Sequence, residues 1–81
     1  MENSVANTNI SLILIDENQN GTVAKIEGDS RFLSRVVSIG IVKGSEIKVL
    51  KNDGKSPLLI FVRDTVIALN RKESAQIWIE A

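Results

Sequence analysis

Among its 81 residues the chain has no cysteine, no histidine and no tyrosine, and only one proline, one tryptophan and two phenylalanines. Without cysteine there is no disulfide, no thiolate zinc site and no iron–sulfur cluster. Without histidine there is no imidazole relay for acid–base catalysis, and the commonest nitrogen ligand of transition metals is gone. Scattered carboxylates remain, and these are weak donors for such ions, so no metal site is expected. Long apolar runs are also missing. The longest, such as Ile10–Ile15, are far shorter than the roughly twenty residues a membrane span needs. The opening M-E-N-S-V-A-N-T-N carries no basic side chain and does not read as a secretory leader, so a soluble, cytoplasmic protein is expected.

What is present is an aliphatic chain, 43% hydrophobic, too apolar for disorder and long enough for one small domain. We expect a flexible tail over residues 1–9 and one domain over 10–81. Net charge is zero but unevenly spread. Residues 1–29 hold one lysine against five acidic residues, a net of −4. Residues 30–55 hold six basic residues against Glu46 and Asp53, a net of +4. This local excess, not the overall balance, is what could meet a partner.

The most informative stretch runs from Arg31 to Leu50, R-F-L-S-R-V-V-S-I-G-I-V-K-G-S-E-I-K-V-L. It predicts a short helix capped by Asp29 or Ser30, because a side-chain oxygen there accepts an orphan backbone N–H. Phe32, Leu33, Val36, Val37 and Ile39 would form its apolar flank. Arg31, Ser34, Arg35 and Ser38, spaced i, i+3, i+4, i+7, would form a polar stripe. Gly40 falls just past the C-cap, where a left-handed φ favours glycine, and Ile41 would fold back on Val36. Gly44 marks the turn into a strand over Ser45–Lys51. Two arginines one turn apart repel, so the stripe is either a solvated face or a contact face for an acidic partner.

Elsewhere, Ile10–Ile15 fits a strand or a helical turn equally well. Asp16–Gly21 reads as a turn, with Asn20-Gly21 favouring positive φ, and Thr22–Glu27 alternates like a strand. Asp53-Gly54 closes a hairpin between Ser45–Lys51 and Ser56–Arg63, with Pro57 confined to a strand start or an edge. Leu58–Val62 is apolar on both faces, so both should be covered. Arg63-Asp64-Thr65 reverses the chain into Val66–Leu69. Asn70 with Glu73 three residues on makes a capping box for a single turn before a last strand, Gln76–Glu80. The expected core is Val36, Ile39, Ile47, Val49, Ile60, Val62, Ile67, Leu69 and Ile77. Five or six short strands with one early helix suggest a mostly β, closed and strongly bent barrel.

The run R-V-V-S-I-G-I-V-K-G-S-E-I-K-V-L also resembles the signature of the FeoA family, small accessory proteins of bacterial ferrous iron uptake. The matching positions are Arg35, Ile39, Gly40, Ile41, Gly44, Ile47 and Val49. The later I-A-L-N-R-K-E-S-A-Q-I-W-I is similar to that family's closing segment at Ala68, Leu69, Arg71, Glu73, Ala75 and Ile77. Lys43 stands where the family often has proline before the turn glycine, and Asn20-Gly21 stands where it often has Pro-Gly. The resemblance implies an SH3-like barrel with one short α-helix after the first barrel strand and a second helical turn before the last strand. It implies a non-enzymatic module acting on the cytoplasmic side of FeoB, a membrane GTPase transporter, and so lying peripheral to the inner membrane face. Transition-metal binding comes by resemblance only; without His or Cys the iron link is expected to be indirect, with no cofactor.

Residue by residue, Asp16, Glu17, Glu27, Asp29, Asp53, Asp64 and Glu73 all fall in turns, caps or strand ends. No carboxylate pair marks a catalytic cleft, so no enzyme is expected. Gly40–Gly44, G-I-V-K-G, lacks the ending of a phosphate loop. Lys48, Lys51 and Lys55 lack interleaved aromatics, which argues against nucleic acid. The alternatives are a nucleic-acid-binding small barrel, or the SH3-like module of metal-dependent repressors, for which no DNA-binding helix pair precedes the domain. The expected partner-binding residues are Arg31, Arg35, Ser38 and Lys43, with Gly40, Gly44 and Gly54 in structural turns.

Overall fold

The computed structural model describes residues 9–80; residues 1–8 of the expected tail lie outside the described residues. Asn9, expected in that tail, already belongs to a strand, β1 (Asn9–Ser11). The ambiguous Ile10–Ile15 run divides between the two readings, since β1 passes directly into a 3₁₀ turn over Leu12–Leu14. Then come β2 (Asn20–Ile26), α1 (Ser30–Ser38), β3 (Glu46–Lys51), β4 (Leu58–Val62), β5 (Thr65–Leu69), α2 (Arg71–Ser74) and β6 (Ile77–Glu80). The six strands form one antiparallel sheet in the order β1-β6-β2-β3-β4-β5.

The sheet is folded over by two irregularities, between Val23 and Lys25 in β2 and between Val49 and Lys51 in β3. A bulge bends a strand and sharpens its twist. The first half of β2, Asn20–Thr22, pairs with β3, and the part from Val23 to Ile26 pairs with β6. At this corner Gly21 lies against Ile79, where a Cβ would come within 2.3 Å of Ile79 Cγ2. Asn20-Gly21 is therefore strand. The preceding turn runs from Asp16 to Gln19, with Asn18 as its left-handed residue at φ 69°. The fold is the expected SH3-like small barrel, but it curls without closing: β1 and β5 remain the two ends of the sheet.

Inside the curl lie Leu12, Val23, Val36, Ile41, Ile47, Val49, Leu58, Ile60, Val62, Leu69, Ile77 and Ile79, all buried. Of the expected core, Ile39 and Ile67 sit half-buried at its margin. The alternation of β3 and β4 is clean: Ile47 and Val49, then Leu58, Ile60 and Val62, point inward. The outer face of β4 is only partly covered, contrary to the expectation, because α1 packs elsewhere. Leu59 is half-buried and Phe61 is 40% exposed.

Asp29 caps α1 by accepting the Phe32 N–H at 2.9 Å. The helix ends in a Schellman turn: Gly40 N–H donates to the Val37 carbonyl at 3.0 Å and Ile41 N–H to the Val36 carbonyl at 2.9 Å. Gly40 adopts φ +97°, and Ile41 and Val36 are both fully buried. Val37, expected on the apolar flank, is 55% exposed, because the side of α1 that meets the core is centred on Val36. Gly44 and Gly54 also hold positive φ at their turns. In α2 the capping box forms, with Asn70 Oδ1 accepting from Glu73 N at 2.7 Å and Glu73 Oε1 from Asn70 N at 3.3 Å.

Candidate protein-docking surface

The polar stripe of α1 is exposed along its length at Arg31, Ser34, Arg35 and Ser38. Two of its members are engaged within the fold. Arg35 forms an ion pair with Glu73, the capping-box residue of α2, whose side chain is 14% exposed. Ser38 Oγ donates to the Arg35 carbonyl at 2.7 Å. Arg35 thus ties the two helices together, and the contact-face reading of the stripe narrows to Arg31 and the helix end. Lys43 is exposed within the turn from Val42 to Ser45. Ser45 shapes that turn: its Oγ accepts from Val42 N at 3.0 Å and donates to the Gly40 carbonyl at 3.2 Å.

Beyond α1 the surface continues onto the β4–β5 turn, which sequence reading passed over as a simple reversal. Arg63 and Asp64 are both left-handed, at φ 51° and 63°. This is the backbone of a two-residue hairpin turn that normally favours asparagine or glycine. The Arg63 side chain lies across Gly40, so close that a Cβ there would come within 2.5 Å of its Cδ. A cation over the C-terminal end of a helix is favoured by the carbonyl dipoles that converge there. Among the described residues no carboxylate pairs with Arg63.

Two open hollows meet at Arg63. One, of about 400 Å³, is lined by Val37, Ser38, Gly40, Val42, Arg63 and Thr65, among others. The other, of about 300 Å³, lies on the outer face of the sheet between Asn20, Glu46, Lys48, Phe61, Arg63 and Asp64. Around them stand exposed Val37, Val42, Phe61 and Val66. The result is an open surface on which exposed valines and Phe61 stand among polar and charged groups, with Lys48 and Arg63 matched in number by Glu46 and Asp64, too open to enclose a small molecule.

The carboxylates are occupied locally. Asp53 Oδ1 accepts from the backbone of Ser56 at 2.7 Å and of Lys55 at 2.9 Å, and these bonds lower its pKa from 3.8 to about 2. Glu27 is held below its ordinary value by Lys25 and by the Trp78 indole N–H, which donates to Oε1 at 3.1 Å. Among the described residues no three His, Cys, Asp or Glu side chains come together. No helix among them is long and apolar enough to cross a membrane.

Comparison with known proteins agrees with this architecture. A family model described as the FeoA domain matches residues 10–81. The crystal structure of an iron uptake regulatory protein, FeoA, superposes with a TM-score of 0.85 at 22% identity, covering 90% of this chain and 97% of that one. A zinc-complexed FeoA from Stenotrophomonas maltophilia, described as a procaryotic SH3 domain protein, gives 0.76 at 23% identity over 86% and 88% of the two chains. A manganese-dependent transcriptional repressor gives 0.84 at 23% identity over 93% of this chain, but over only 42% of its own. No curated protein matches in sequence. Matched across residues 10–81 and carrying the SH3-like fold, the chain belongs to the FeoA family of ferrous iron transport accessory domains.

Proposed function

We propose that this chain is a non-enzymatic accessory module of ferrous iron uptake, working in the cytoplasm by docking on the GTPase part of an FeoB-type transporter. The contact runs from Arg31 to the end of α1 and past it, through Ser38 and Lys43, extended by Arg63 and the exposed Val37 and Val42, while Arg35 serves the fold through its ion pair with Glu73. The observation that carries this reading is the exposure of Val37 and Val42 alongside the cations Arg31 and Lys43, on a domain that belongs to an iron-transport family. Exposed cations steer association with an acidic surface, and the valines supply area to bury. The iron link passes through the partner, because carboxylates alone are a poor donor set for Fe²⁺ and no three of them are grouped among the described residues.

The test is titration of a soluble FeoB-type GTPase domain with the parent and with the Arg31→Glu/Lys43→Glu variant at two salt concentrations. Arg35 is spared, since a glutamate there would face Glu73. The variant should fold like the parent and associate about tenfold more slowly at low salt, the difference shrinking as salt rises. Equal binding of parent and variant at low salt would refute the docking face. Anaerobic Fe²⁺ or Co²⁺ added to the isolated protein should give no saturable, clustered amide shifts at micromolar metal; such shifts would refute an indirect iron link.

A further inference from the structure

β5 ends the sheet, and its sequence T-V-I-A-L has no charge and no proline. Natural sheet edges are usually blunted by one or the other. The two-residue turn at Arg63-Asp64 makes Val62 and Thr65 a hydrogen-bonded pair, and bonded pairs then alternate along the ladder at Ile60–Ile67 and Leu58–Leu69. The N–H and C=O groups of Val66 and Ala68 therefore point away from β4. Among the described residues no backbone hydrogen bond outside the β4 ladder reaches Thr65–Leu69. On the outer face Val66 stands opposite Phe61, 56% and 40% exposed. At the N-terminal end of this edge sits Arg63, across which no described carboxylate is paired.

We propose that the β5 edge receives an extended acidic segment of a partner protein as an added antiparallel strand, with a carboxylate of that segment on Arg63. Antiparallel pairing fixes the order of its residues. Those opposite Ala68 and then Val66 exchange backbone hydrogen bonds with β5 and lay their side chains on the outer face beside Val66. Apolar side chains suit both positions, because the strip they cover is apolar. Three residues after the one opposite Val66, the added strand comes level with Arg63. A glutamate there comes level with Arg63, whose stem lies against Gly40 and whose guanidinium can take a carboxylate. The edge is thus read as apolar–x–apolar–x–x–acidic, written toward the partner's C-terminus. This mode of capture does not rest on which protein supplies the segment, so it stands or falls separately from the docking face along α1.

The probe is the synthetic peptide acetyl-STVTVSNE-amide, titrated into the ¹⁵N-labelled full chain, with acetyl-STVTVSNQ-amide as its neutral twin. Saturable shifts should centre on Val66 and Ala68, whose amides should exchange more slowly with solvent when the peptide is bound. The neutral twin should bind about fivefold more weakly, and Arg63→Gln should lose the difference between the two peptides. Ala68→Pro removes an outward N–H and should abolish binding; Val66→Lys, which keeps the backbone, should weaken it whether or not the proline variant folds. Four results would overturn the proposal. They are no saturation up to about 2 mM peptide, shifts lying away from β5, equal binding of the two peptides, or concentration-dependent β5 shifts in the protein alone, which would mean that the edge pairs with a second copy.

Discussion

Replacing Asn52 with alanine should destabilise this domain more than any other single polar truncation on its surface. The Asn52 amide joins three parts of the chain. Its Nδ2 donates to the carbonyls of Ile13 and Ile15, both at 2.9 Å, holding the segment around the 3₁₀ turn against the β3–β4 loop. Its Oδ1 accepts from Arg71 Nη1 at 3.1 Å, and Arg71 also reaches the Ser56 carbonyl at 3.3 Å. Two carbonyls on one side and a guanidinium on the other fix which way the amide points. Neutral bonds contribute about 1 kcal/mol each and a bond to a charged group about 1.5–3 kcal/mol. Because these groups are only part-buried, water takes over some of them after truncation, leaving a loss of about 2–3 kcal/mol. For a domain of this size that lowers Tm by about 10–20 °C. Urea and thermal unfolding followed by circular dichroism would measure it. Asn52→Asp sharpens the test, since it keeps an acceptor for Arg71 but sets an anionic oxygen against the two carbonyls. If the alanine variant melted within about 0.5 kcal/mol of the parent, or the aspartate variant melted with it, the reasoning would be wrong.

Two further outcomes are expected. Gly40→Val should destabilise by about 1–3 kcal/mol, because a β-branched residue resists positive φ, and adding Arg63→Ala should recover only the part due to contact with that side chain; denaturation curves superimposing on the parent's would refute this. Acid should loosen the β3–β4 loop and the Trp78 contact. Asp53 and Glu27 both have folded-state pKa values below their ordinary ones, so the stability they add is complete above the ordinary carboxylate range. It is lost as pH falls through the folded values, for Asp53 between 3.8 and about 2. Trp78, the one tryptophan, reports Glu27, and a fluorescence titration identical in Glu27→Gln would refute that link.

The sequence determined what depends on neighbours a few residues apart. Asp29 capping Phe32, the Asn70–Glu73 box, the Schellman turn at Gly40 and the alternation of β3 and β4 all close within one turn or one pleat. The letters alone were sufficient for the Asn70–Glu73 box, the Schellman turn and the inward side of β3; they left the α1 cap open between Asp29 and Ser30 and predicted cover for both faces of β4. The same local patterns carried the family resemblance. Tertiary structure decided everything that needs distant segments to meet. The bulges at Val23/Lys25 and Val49/Lys51 set how the sheet curls, and that curl chose Asn18 rather than Asn20-Gly21 as the left-handed turn. It brought Asn52 to Ile13, 39 residues away, turned Arg35 from a free contact residue into the partner of Glu73, and laid Arg63 across Gly40. It also left β5, among the described residues, as the last strand of a sheet expected to close. No local propensity encodes these pairings, because each depends on the summed bend of strands between the two residues, and a shift of one residue in register exchanges the two faces of a strand.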